Sequence, residues 1–93
     1  MGRLEEKTEK YERLLATAIE AASVPAGADD ERAAGAETCL AMATAYLNDG
    51  QHFRAEDTPV EALAAFSYGH GWLDAGARLG VLAVPAEGDL FTV

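Results

Sequence analysis

His70 and Asp74 stand four residues apart, so on a helix the imidazole lies one turn from the carboxylate. Such a pair can orient a histidine for acid–base work. It more often satisfies the hydrogen bonding of a half-buried histidine, and that plainer reading is preferred. Asp74 and Arg78 repeat the spacing and read as an ion pair at the rim of the fold. Ser67, Tyr68 and Trp72 lie in the same stretch, and together these six residues are the candidate binding surface. Tyr and Trp each carry one polar tip that needs a partner when buried, so they fit either a core or the edge of an interface. A metal site from His52, His70 and Asp74 would need three separated ligands to converge, and it is not expected. Cys39 is the single cysteine; it cannot close an intrachain disulfide and reads as an inert, buried thiol in a reducing interior. There is no glycine-rich phosphate loop, paired-cysteine metal motif, nucleophile elbow or HExxH run. Arg54 and His70 are too far apart for the arginine-then-histidine pairing of small helical ribonucleases. No catalytic residue, cofactor or metal is assigned.

Three helices must position these residues. Tyr11, Leu14, Leu15, Ala18, Ile19 and Ala22 recur at spacings of three and four, which predicts a helix over about 3–22. Ser23-Val24-Pro25-Ala26-Gly27 ends it. Asp29 or Asp30 can cap a second helix, over about 29–54. Its Ala33, Ala36, Leu40, Ala43 and Leu47 form one apolar seam, and Cys39, Met42, Tyr46 and Phe53 an adjacent one. Asn48-Asp49-Gly50 could be a turn, but Phe53 continues the seam from Tyr46, which favours a helix running through Gly50. Thr58, Pro59 and Glu61 then spell a capping box for a third helix, over about 59–82. The expected fold is all-α, a single three-helix up-and-down bundle over 1–84. The C-terminal tail, 85–93, is either disordered or docks Leu90 and Phe91 back on the bundle.

The third helix is unusual because glycine in a helix costs about 1 kcal/mol relative to alanine. Ala62, Gly69, Gly76 and Gly80 fall within about 40° of one another around a helix. They predict a smooth stripe for close packing. Tyr68, Trp72, Ala75 and Leu79 form an apolar stripe to one side, and Phe66, Leu73 and Ala77 lie on the other. A narrow polar strip remains: Ser67, Gly71, Asp74 and Arg78, bordered by His70. The helix is therefore expected to be buried on most of its circumference.

Composition bounds the function. Twenty of 93 residues are alanine, and 16 acidic residues face 7 basic ones for a net charge of −9. A chain this negative repels phosphate backbones and anionic membranes, so direct nucleic-acid binding is disfavoured. High Asp and Glu with only two lysines points to adaptation to concentrated salt rather than to a basic partner. The apolar stretches are too short for a membrane span. The N-terminal residues lack a signal-peptide pattern, and Glu6 stands where a myristoylation start needs Ser or Thr. A soluble, cytoplasmic protein is the expectation.

The run Ala62-Leu-Ala-Ala-Phe-Ser-Tyr-Gly-His-Gly-Trp-Leu-Asp-Ala-Gly-Ala-Arg-Leu-Gly80 resembles the signature of the archaeal domain of unknown function 357 family. The likeness extends back through Ala45-Tyr46 and Phe53 to Tyr11–Leu15. It implies an up-and-down three-helix bundle in an archaeal cytoplasm, and no activity. The acidic composition would make this a halophilic member. The expected function is a non-enzymatic interaction module, partnered by another protein or by itself. The competing expectation is a small-molecule or nucleotide-binding domain or minor enzyme using His70, Asp74 and Arg78.

Overall fold

The structure is a computed structural model that describes residues 2–86, 88, 90 and 91. Glu87, Asp89, Thr92 and Val93 of the tail, on which part of the tail expectation falls, lie outside the described residues, as does Met1. Three helices account for the fold: α1 Gly2–Ala21, α2 Asp30–Ala55 and α3 Pro59–Arg78. Among the described residues the only strand-like pairing is an isolated antiparallel bridge between Ser23 and Ala83. The chain is all-α and forms a three-helix bundle, as expected.

Contacts between helix ends fix the order. Near its N-terminal half, α1 meets the end of α2, where Gln51 and Arg54 both hydrogen-bond to Glu12. Just past its other end, Ser23 exchanges backbone hydrogen bonds of 2.9 and 2.8 Å with Ala83, beyond α3. Thus α1 runs antiparallel to α2 and parallel to α3, the up-and-down arrangement. The molecule is a slab of 46 × 24 × 16 Å.

Local chemistry explains each boundary. Asp29 caps α2 by accepting a 2.8 Å hydrogen bond from the Arg32 amide. The acidic first turn, Asp30 and Glu31, faces the positive end of the helix dipole. At the other end of α2, Asp57 adopts a left-handed backbone with φ of 61°. The amides of Asp57 and Thr58 return to the carbonyls of Arg54 and Phe53. This is the paired bonding of a Schellman stop. The Thr58 hydroxyl donates to that same Phe53 carbonyl at 2.9 Å. Thr58 is therefore the N-cap residue of α3 but makes no side-chain cap bond, so the expected capping box is not formed. Its hydroxyl is committed to the preceding turn instead. A second Schellman stop ends α3, with Gly80 left-handed at φ 76° and Val81 bonded back to Gly76. Gly80 therefore belongs to the turn, not to the packing stripe in which its spacing places it.

Leu15, Phe66 and Leu73 are the large apolar side chains fully withdrawn from solvent. Around them the core is mostly alanine: Ala18, Ala22, Ala36, Ala43 and Ala62. Glycine lets the backbones approach. A side chain at Gly69 would begin 3.0 Å from Leu15 and from Tyr46, and one at Gly76 would begin 2.9 Å from Leu82 and 3.0 Å from Cys39. The α2 helix runs unbroken through Gly50, which is buried against the ring of Phe66.

That interlock reverses the usual effect of removing a helical glycine. At an exposed site Gly→Ala stabilises by about 1 kcal/mol. At Gly50 the added methyl would overlap the buried Phe66 ring, and overpacking of this kind costs about 1–3 kcal/mol. Gly50→Ala should lower the urea midpoint, and a raised midpoint would show that the ring has room to move.

Candidate functional site

The side chains expected to form a binding surface all lie on α3, but they do not share one environment. Ser67, Tyr68 and Arg78 are exposed, while His70, Trp72 and Asp74 are half-buried. His70 and Asp74 do meet, with 3.3 Å between Nδ1 and Oδ2. The imidazole is also near Phe91, at 6.0 Å between ring centroids. The tail thus docks on the bundle at Phe91, which is buried, and Leu90 packs partly against the core. His70 is held by a carboxylate on its own helix and an aromatic ring from the tail, the plain structural pairing.

His52 stands apart on α2, exposed and tilted against Phe53. Among the described residues, no three of His, Cys, Asp or Glu are grouped to hold a metal ion. Cys39 is half-buried, and burial raises its thiol above the ordinary value, which lowers its thiolate fraction at neutral pH.

The stripe of Tyr68, Trp72, Ala75 and Leu79 behaves differently from its neighbours. It does not flank the core as a buried seam. Tyr68 is 64% exposed and Leu79 77% exposed, and Val60, at 63%, extends the same face. Ala64, Gly71 and Ala75 lie exposed between them. Only Trp72 reaches inward, packing against the core. Burial of α3 is correspondingly narrower than the periodicity predicts. Helical spacing identifies an apolar face but does not say whether a neighbouring helix covers it.

Two shallow hollows lie on this face. One, of about 320 Å³, is lined by Tyr68, Gly71, Trp72 and Ala75. The other, of about 340 Å³, lies at the α2–α3 junction, walled by Tyr46, Phe53, Ala64 and Tyr68 and edged by the carboxylates of Asp49 and Glu61. The rings of Tyr46 and Tyr68 meet edge to face at 4.9 Å there.

A polar cluster on the opposite seam was not singled out by its sequence spacing. Glu12 on α1 accepts from Gln51 at 3.0 Å and pairs with Arg54. The signal was available: Gln51 and Arg54 are one turn apart on α2, facing the charged side of α1. The pair is partly open to solvent, so its contribution is small and salt-sensitive. A double-mutant cycle of Glu12→Ala and Arg54→Ala should give a coupling of about 0.2–1 kcal/mol that shrinks as KCl is added. A larger, salt-independent value would mean the pair is more buried than its geometry shows. Removing the tail contact is the stronger perturbation. Phe91→Ala should lose about 1.5–3 kcal/mol in urea unfolding, whereas an unchanged midpoint would mean the tail is detached in solution.

A family model described as "Protein of unknown function (DUF357)" matches residues 10–82, from within α1 to just beyond α3. No curated protein matches the chain, and no solved structure does.

Proposed function

The chain belongs to the DUF357 family, which is of unknown function and so brings no chemistry with it, and we propose from the geometry that it is a non-enzymatic protein-interaction module whose contact surface is the outer face of α3. The observation that carries this is the exposed row of Val60, Tyr68 and Leu79 along one side of that helix. Single exposed apolar residues are ordinary on a protein surface, but a contiguous row marks an interaction site. The row has the layout of an interface. Tyr68, Trp72, Ala75 and Leu79 make an apolar centre, and Ser67, Asp74 and Arg78 form a polar margin along one edge. His70 lies further round the helix, beside Phe91. An enzyme or small-molecule site built on His70, Asp74 and Arg78 has less support, because the His70 imidazole is already engaged by Asp74 and packed beside Phe91.

A protein partner fits the charge better than nucleic acid does, since 16 acidic residues against 7 basic ones repel phosphate. The same imbalance supports a protein adapted to concentrated salt, where a Debye length of about 3 Å removes most self-repulsion. An archaeal, halophilic, cytoplasmic setting is part of this proposal. Among the described residues, no helix is long and apolar enough to cross a membrane.

Tyr68→Glu and Leu79→Glu test the surface, because both positions are open to solvent. Each variant should keep its urea stability to within about 0.5 kcal/mol. Each should lose association, read both as self-association by light scattering and as partners retained from native lysate. Association undiminished in both variants would remove α3 from the interface.

A further inference from the structure

Building on that reading, we infer that the hollow between α2 and α3 is a receptor for a cationic side chain, an arginine presented on the surface of a partner protein. The hollow has a volume of about 340 Å³ and combines two kinds of wall. Tyr46, Phe53 and Tyr68 line it with three aromatic rings, and Asp49 and Glu61 line it with two carboxylates. The rings of Tyr46 and Tyr68 meet with 80° between their planes. They therefore stand as nearly perpendicular walls rather than as one stacked layer. An aromatic face attracts a cation placed over it, through the ring quadrupole. A carboxylate beside the rings adds a charge-assisted hydrogen bond.

The carboxylates have no basic partner of their own. Among the described residues, neither Asp49 nor Glu61 takes part in an ion pair. Arg54, the arginine closest to them in sequence, is taken by Glu12 on α1. Asp49 comes from α2 and Glu61 from the first turn of α3, and the fold brings both to one hollow. The class of occupant follows from what each kind of group would meet there. A neutral apolar side chain would cover the rings, but it would strip water from two carboxylates and leave them without donors. An anion is repelled by both carboxylates and by a chain of charge −9. A cation satisfies both kinds of wall at once.

Arginine suits the walls better than lysine. Its guanidinium is planar, stacks on aromatic faces, offers a carboxylate a fork of donors and is more weakly hydrated than an ammonium. Stacking and direct contact persist in strong salt, where a Debye length of about 3 Å removes attraction at a distance. Shape decides the source of the cation. A small-molecule pocket encloses most of its ligand. This hollow is shallow, so it holds one side chain whose backbone stays outside. Tyr68 belongs both to the hollow and to the exposed row on α3. A partner seated on the row is thus placed to lay an arginine in the hollow, the row supplying apolar area and the hollow fixing orientation. The acidity of the whole chain still reads as salt adaptation; recognition is confined to the carboxylates that stand beside these rings.

Magnetic-resonance titration of the full chain with millimolar N-acetylarginine amide, N-acetyllysine amide and N-acetylcitrulline amide reads the site. Citrulline keeps the shape of arginine without its charge. The titration is run in about 1 M KCl, so that contact rather than long-range attraction is measured. The arginine probe should give saturable shifts confined to Tyr46, Asp49, Phe53, Glu61 and Tyr68. It should bind at least about threefold more tightly than the lysine probe and about tenfold more tightly than the citrulline probe. The double variant Asp49→Asn/Glu61→Gln and the single variant Tyr68→Leu should each weaken it at least about threefold. All three positions are exposed, so folding is not at issue. Equal binding of citrulline, shifts spread over the acidic surface without saturation, or full affinity in either variant would overturn the cation site. Lysine bound as tightly as arginine would overturn arginine as the occupant. Lysate partners lost by Tyr68→Glu but kept undiminished by Asp49→Asn/Glu61→Gln would overturn a partner as its source. If no probe binds while Tyr68→Glu still loses partners, the receptor falls and the interaction module stands; if both fail, both end.

Discussion

The close approach of α3 to both of its neighbours is the constraint on which the rest of the structure depends. The surface that α3 turns inward is stripped of side chains at Gly69 and Gly76 and nearly so at Ala62, all buried. Small residues let helix backbones come together, and dispersion across the dense contact offsets part of the propensity lost to glycine. Phe66 is the exception that fixes the fit. It is a full aromatic side chain in the same core, and it is accommodated only because α2 offers Gly50 opposite its ring. Shifting α2 along α3 would bring a side chain against that ring, so the pair sets the register of the two helices.

That economy of volume has a consequence on the outside. A bundle whose core is largely alanine is thin, here 16 Å in its shortest dimension. It cannot enclose every apolar residue of an α3 that is apolar on most sides. Phe66 and Leu73 take the inward places, Trp72 lies at the margin, and Tyr68 and Leu79 remain in water. The exposed row is therefore linked to the glycine stripe: the same tight packing that stabilises one copy leaves a second apolar face without a neighbour in that copy.

Much of the fold was legible in the sequence because its signals are local. Asp29 caps α2 through the Arg32 amide, Pro59 opens α3, and the seam from Tyr46 to Phe53 carries α2 through Gly50. These depend on residues within a turn or two. The misreadings share one cause: a competing partner that the local pattern does not contain. Thr58 has the right neighbours for a capping box, but the Phe53 carbonyl takes its hydroxyl. Gly80 has the right angle for the packing stripe, but the helix ends at Arg78 and uses the glycine for its left-handed stop. The stripe of Tyr68, Trp72, Ala75 and Leu79 has the right period for a core seam. Whether a third helix lies over it depends on where the connections send α1, and periodicity is silent about that. Of the candidate site, the contact of His70 with Asp74 was legible from spacing alone; the ring of Phe91 beside it, from a tail of ambiguous pattern, was not.

The distribution of charge follows the same division of the surface. All seven basic residues lie within the helices, while Asp29, Glu56 and Asp57 sit in the connections. The connections between helices are thus purely acidic in their ionised residues, where chains turn and carboxylates are easily hydrated. Along α3 itself the ionised residues are Glu61, Asp74 and Arg78: Asp74 and Arg78 lie on the polar margin, while Glu61, with Asp49 of α2, borders the apolar row at the hollow beside Tyr68. A surface shaped only by the need to stay hydrated in strong salt would put carboxylates on the long exposed side of α3 as readily as at its ends. Keeping the carboxylates of that side to its α2 edge, at Glu61 and Asp49, leaves the middle of the row at Tyr68, Gly71, Trp72 and Ala75 cheap to desolvate, because apolar area there can be removed from water without stranding an ion. Net charge and apolar row are then compatible rather than opposed: the acidic residues around the row maintain hydration, and its middle remains available for contact.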